Sequence, residues 1–201
     1  MQNKAIEKSL KLVEDGADII DLGAASSNTE TKKVKPQEEI NRLKPVVNSL
    51  LSQNISISID TFKPEVQKYS LKNNVHYLND IQGFPHSEIY SDLAASNCKL
   101  IIMHSIQRFG PATVIETEPE KVFKGMVAFF IERIKVLQDS GIPLERMILD
   151  PGMGFFLGAN PESPIYVLKN IKQLKEYFNL PILVGVSRKS FFGKHYQSQS
   201  K

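Results

Sequence analysis

The sequence predicts an α/β fold, a TIM (β/α)8 barrel that is incomplete, and three observations predict it. Short apolar runs alternate strictly with amphipathic helical patterns and carry no hairpin turn signals, as in an all-parallel sheet. About six such runs are present. Polar residues (Asp21, Asp60, Asn79, His104, Asp150 and Ser187) fall at or just past their C-terminal ends, the edge where a barrel gathers its chemistry. A doubly wound open sheet fits less well, because no glycine-rich phosphate loop follows any strand.

Each element has a local reason. Ala5, Ile6, Leu10 and Val13 recur at helical spacing, and Gly16 is a natural stop. The stretch 17–23 reads as a strand ending near Asp21, and a polar loop 24–35 follows, with Lys32, Lys33 and Lys35 expected on a solvated face. Pro36 and the acids Glu38 and Glu39 open a helix whose apolar stripe is Ile40, Leu43, Val47 and Leu50. Ile55–Thr61 alternates like a strand, and Pro64 starts the helix carrying Val66, Tyr69 and Leu71. The runs 75–80 and 99–104 are strands on either side of a short helix, 89–95. A longer loop contains Gly110-Pro111, and Pro119 begins a long amphipathic helix that Gly141 ends. The strand reaching Asp150, a helix over 165–178 and a final strand 181–187 complete the pattern.

A barrel needs eight strands and about 250 residues. This chain of 201 residues starts inside a helical pattern and ends in a polar stretch, so its first and eighth strands are expected to be missing. Those two are neighbours in a closed barrel, so their loss opens one gap. A partial barrel domain over 1–193 and a polar tail over 194–201 are expected.

Composition bounds the function. The chain is 41% hydrophobic and 23% charged, enough for one sizeable core, and its net charge of +3 argues for neither nucleic acid nor a membrane surface. No apolar run approaches the roughly 20 residues of a membrane span, and a cytoplasmic protein is expected. The lone Cys98 is expected in the core, and no His/Cys set forms a protein-only metal site. His76, His86 and His104 are expected to be structural or solvent-exposed rather than catalytic.

The stretch most suggestive of chemistry is Asp150-Pro151-Gly152-Met153-Gly154-Phe155-Phe156. A buried strand ends there on a carboxylate, and a Pro-Gly-x-Gly turn lets the backbone pass close to whatever that carboxylate holds. An isolated Asp-Pro-Gly is more often a simple turn; five further polar strand ends change that weighting.

Taken in order, Ile20-Asp21-Leu22-Gly23, Ile59-Asp60-Thr61-Phe62-Lys63, Asn79-Asp80-Ile81, Met103-His104, the Asp150 stretch and Ser187-Arg188-Lys189-Ser190 resemble the motifs of the dihydropteroate synthases. The segments 21–28, 79–85 and 150–158 look most like the sulfonamide-insensitive members carried on mobile resistance elements. The resemblance implies a transferase of folate biosynthesis that joins p-aminobenzoate to a dihydropterin-methyl diphosphate, with Mg2+ arriving on the diphosphate. It implies catalytic roles for Asp21, Asp60 and Lys189. It places Asp60, Asn79, Met103, Asp150, Phe155, Ser187, Arg188, Lys189 and Ser190 around the substrates. A homodimer is a further expectation.

Two departures stand out. The family's Glu-Ser-Thr-Arg-Pro loop reads Ala25, Ser26, Ser27, Asn28 and Thr29 here, and a family lysine beyond the Asp150 loop is Leu157. The family's first-strand Asn and its C-terminal Arg-x-His, which serve the diphosphate, have no counterpart in the chain. The alternatives are a non-catalytic remnant keeping only the pterin face, or a pterin-binding methyltransferase domain of the corrinoid type, against which the 187–190 motif argues.

Overall fold

A computed structural model describes residues 2–25, 34–106 and 118–185, for Gln2 and Phe155 the backbone alone. Five strands form one sheet: β1 (Ile20–Leu22), β2 (Ile57–Asp60), β3 (Tyr77–Asp80), β4 (Lys99–Met103) and β5 (Met147–Asp150). They lie in sequence order and every pairing is parallel. Beyond β5, Leu149 pairs in parallel with Ile182, so the stretch expected as a sixth strand does flank the sheet, through a single bridge. A parallel sheet in strict sequence order, each connection made by helix, is the barrel arrangement left incomplete.

The helices are α1 (Gln2–Glu14), α2 (Pro36–Leu51), α3 (Pro64–Lys72), α4 (Tyr90–Ala95), α5 (Pro119–Asp139), α6 (Glu162–Lys169) and α7 (Ile171–Phe178). Proline at the first turn of α2, α3 and α5 starts each where no intrahelical donor is lost. Asn54, Asn74 and Asn179, beyond the ends of α2, α3 and α7, adopt the left-handed conformation that asparagine tolerates better than most residues. The helix expected over 165–178 is two helices. At Asn170 (φ −103°) the side-chain amide bonds the carbonyl of Tyr166 at 2.8 Å, an alternative to helical continuation. The short helix expected over 89–95 begins as a 3-10 turn, Ser87–Ile89.

The core lies between sheet and helices. Ile57, Ile59, Leu78, Leu100, Ile102, Met147 and Leu149 are fully buried, and Val47, Leu50, Val66, Met126, Phe130 and Leu137 meet them from the helices. Cys98 joins this core as expected, and burial pushes its thiol up to about 12.

Candidate functional site

Strand register decides which side chains share the inner face. Residues opposite one another on parallel strands point the same way, and alternate residues point together. Asp21 pairs with Ser58, which pairs with Tyr77 and through it with Lys99. Asp60 pairs with Asn79, then Ile101, then Ile148. Met103 pairs with Asp150. These rungs face away from the helices. Ile101 and Met103 confirm it: they are 3% and 6% exposed, yet neither belongs to the helix-side core.

The expected residues Asp60, Asn79, Met103 and Asp150 therefore share one surface at the C-terminal end of the sheet. Asp21 sits one rung lower, on the edge strand, and is exposed. A Cβ built on Gly23 would lie 3.5 Å from Asp60 Oδ2, so the exit of β1 runs directly against that carboxylate. Ser187, Arg188, Lys189 and Ser190, the tail 194–201, Lys32, Lys33 and Gly110-Pro111 lie outside the described residues, as does the side chain of Phe155.

Asp60 is the electrostatic centre. Burial, and then the charges of Asp21, Asp80, Glu39 and Asp150, push its carboxyl up to about 7. The neighbouring Asn79 presents a side-chain oxygen that is buried and, among the described residues, has no hydrogen-bond partner. An orphaned buried acceptor carries a desolvation cost that a donor from a ligand relieves.

Asp150 is 7% exposed, and its Oδ1 accepts the Gly152 amide at 2.8 Å. The close backbone approach expected at Gly152 exists, but toward protein. At φ +67° a Cβ would stand 2.4 Å from the His104 carbonyl oxygen, so only glycine fits. His104 is structural: its amide donates to the Asp150 carbonyl at 2.8 Å, its Nδ1 lies 3.3 Å from the Pro151 carbonyl, and its ring packs edge-on to Phe129 at 5.4 Å. His76 Nδ1 accepts the Ile57 amide at 3.3 Å, far from the carboxylate rim.

Asp80 follows Asn79 but points to the opposite face, beneath the helices. It is fully buried, and burial raises its carboxyl to about 6 against the opposing pull of its hydrogen bonds. Gln67 donates to it at 2.9 Å and to the Thr61 carbonyl at 3.0 Å, joining the exits of β2 and β3. Arg133, 8% exposed on α5, donates through Nε to the Gly83 carbonyl at 2.8 Å and through Nη2 to the Phe84 carbonyl and to Tyr90 Oη at 2.7 Å. It thereby holds Phe84 in a left-handed conformation (φ 59°). Sequence reasoning missed Gln67 and Arg133, since a polar residue on an amphipathic helix reads as solvent-facing.

A cavity of about 540 Å3 opens at the opposite end of the strands, among Ser56, Asn74, His76, Asn97 and Lys99. It holds none of the rim carboxylates. No group of three or more His, Cys, Asp or Glu able to hold a metal ion occurs among the described residues. No helix among them is long and apolar enough to cross a membrane.

A family model for pterin-binding enzymes matches residues 1–201. The type-3 dihydropteroate synthase of Escherichia coli is 60% identical over 192 residues, covering 96% of this chain and 73% of the relative. The chain belongs to the dihydropteroate synthase family. The type-2 synthase of Shigella flexneri is 46% identical over 187 residues, covering 93% of the chain and 69% of the relative. Among solved structures, the dihydropteroate synthase of Anaplasma phagocytophilum with bound 6-hydroxymethylpterin-monophosphate superposes with a TM-score of 0.84 at 35% identity, covering 96% of this chain and 74% of that one. The Xanthomonas albilineans dihydropteroate synthase in complex with 7,8-dihydropteroate gives 0.81 at 29%, covering 98% and 70%. As a dihydropteroate synthase, the chain is a transferase of folate biosynthesis, and its incomplete parallel sheet is part of the barrel its relatives share. The family expectation stands, and the methyltransferase and remnant readings give way to it.

Proposed function

We propose that the inner face at Asp60, Asn79 and Asp150 binds the dihydropterin ring and condenses its methyl carbon with p-aminobenzoate, in a manner insensitive to sulfonamides. The orphaned Asn79 oxygen carries this reading. With Asp60 and Asp150 it makes an array of acceptors facing one surface, and the amino and ring N–H groups of a pterin are donors suited to it. Met103 supplies an apolar contact to the flat ring, and Phe155 is assigned a second by family resemblance.

In the reaction the bond from the pterin methyl carbon to the diphosphate oxygen breaks, a C–N bond to the aminobenzoate nitrogen forms, and that nitrogen loses a proton. Ionised Asp60, with Asp21 beside it, stabilises positive charge developing at the methyl carbon, and the raised Asp60 carboxyl is suited to taking the amine proton near neutral pH. Mg2+ would be carried on the substrate diphosphate, where it would supply charge neutralisation to the leaving group. Asp21, exposed on an edge strand, and Asp60, half neutral at pH 7, make a poor resident site for a hard cation. Lys189 is assigned to the ring, and Ser187, Arg188 and Ser190 to the p-aminobenzoate carboxylate. Drug insensitivity rests on residues 25–29 and Leu157, which replace the family's arginine-bearing loop and a lysine and so alter how an aminobenzoate mimic is held.

The test is growth of a synthase-deficient bacterium on folate-free medium, with and without sulfonamide, paired with calorimetry of pterin binding. Growth in both media, and loss of pterin binding in Asp150→Asn by about tenfold or more, are expected. A folded wild-type chain that binds no pterin refutes the assignment. Growth only without the drug refutes insensitivity alone.

A further inference from the structure

The site account leaves one buried ion pair without a role. Glu39 on α2 is 1% exposed, and Lys63, 17% exposed, meets it at 2.5 Å. The same Lys63 ammonium donates to the Val34 carbonyl at 2.7 Å. Lys63 lies three residues beyond Asp60, in the turn that leads into α3. That turn is already fastened elsewhere: the Thr61 amide donates to the Asn79 carbonyl at 2.9 Å, and the Lys63 amide to Thr61 Oγ1 at 3.3 Å. At the other end of the β1–α2 connection, Arg42 Nη1 holds the Ala24 carbonyl at 2.9 Å while its Nη2 pairs with Glu38. Both ends of that connection are thus held by cations that are themselves paired to α2 carboxylates.

We propose that Lys63 is a positioning residue for the synthase reaction: by gripping Glu39 and Val34 together it seats the Asp60 end of β2 against the start of α2, and it offsets part of the Glu39 charge felt at Asp60. The inference rests on the dihydropteroate synthase reading. The charges that act on Asp60 are Asp21 from β1, Asp80 from the opposite face of β3, Asp150 from β5 and Glu39 from α2, all acidic, and each contributes to holding its carboxyl toward neutrality. Lys63, in the turn after β2, is the cation paired with the Glu39 member of the set. Without it a buried carboxylate is left unpaired beside Asp60, and the proton affinity of Asp60 rises.

The variants are Lys63→Met, Glu39→Gln and the double variant Glu39→Gln/Lys63→Met, which leaves neither charge buried alone and so keeps a folded comparison. Carbon-detected NMR on the protein labelled at its aspartate carboxyls follows Asp60, assigned by the resonance lost in Asp60→Asn. The Asp60 midpoint is expected to move up in Lys63→Met, down in Glu39→Gln, and back toward wild type in the double variant. In parallel, kcat/KM at pH 7 falls about tenfold in Lys63→Met, carried by kcat rather than KM, and recovers in part at higher pH. An Asp60 midpoint that ignores Lys63→Met, or a double variant no nearer wild type than the single, overturns the proposal. A wild-type chain that forms no dihydropteroate would sink the functional reading instead, while the carboxyl titration still decides whether Lys63 governs Asp60.

Discussion

Asp60 ties folding to pH as well as to chemistry. Its carboxyl, raised to about 7, keeps a proton in the folded chain that the unfolded chain, with an ordinary value of 3.8, has already released. Stability from this group is therefore fullest below about pH 4, falls as pH rises through the window to about 7, and is flat above it. Asp80, raised to about 6, adds a fall of the same sign. Asp60→Asn is expected to flatten the pH dependence of unfolding between 4 and 7 and to gain on the order of a few kcal/mol at pH 8. Urea melts across that range check it, and an undiminished slope contradicts it. With the role proposed for ionised Asp60 at the cationic carbon, catalysis runs the other way, and kcat/KM is expected to climb with pH through about 7. Gly152 is the other residue where one atom decides. Gly152→Ala meets the His104 carbonyl at 2.4 Å in a left-handed backbone, and a loss of about 2–4 kcal/mol in chemical denaturation is expected.

At the scale of elements, the loop after β3 depends on α5. Arg133 satisfies two carbonyls and a phenol there, all neutral acceptors among the described residues. Arg133→Met strands the Gly83 carbonyl and leaves the Phe84 carbonyl to Tyr90 Oη alone, so a loss of about 3 kcal/mol is expected, with Lys unable to restore the forked geometry. Equal melting temperatures for wild type and Arg133→Met would contradict this. Asn74→Gly is expected to leave stability within about 0.5 kcal/mol while Asn74→Ala costs about 1, because the left-handed position after α3 rejects a plain Cβ. The sequence announced most of these elements, since apolar periodicity and proline starts are local signals. The break at Asn170 was not legible, because it depends on the asparagine side chain turning back to the Tyr166 carbonyl. Asp60, Asn79 and Asp150 were legible as strand ends. Glu39 was read correctly as an acid in the first turn of α2, but nothing local in the sequence tells that it is buried under Lys63. Burial of a polar helical residue is settled by what the sheet brings beside it.

Taken whole, the described residues form a sheet with two edges. β1 is paired on one side alone, and beyond β5 the bridge at Ile182 is the last pairing. Ile19, at 39% exposure, and Leu183, at 37%, stand at these two edges. Unpaired strands flanked by exposed apolar side chains recruit other chains, so concentration-dependent association is expected in sedimentation of the isolated chain, weakened by Ile19→Lys. A concentration-independent monomer in both forms would contradict it.

The grip of Gln67 on Asp80 also has an architectural consequence. Asn79 and Asp80 are neighbours that face opposite ways, so a slip of β3 by one residue would turn a carboxylate into the pocket and drive a carboxamide under the helices. The amide of Gln67, clasping Asp80 from behind the sheet, makes that misalignment forfeit the hydrogen bond between them. A side chain on the far side of the sheet thus chooses which of two adjacent residues lines the proposed pterin face.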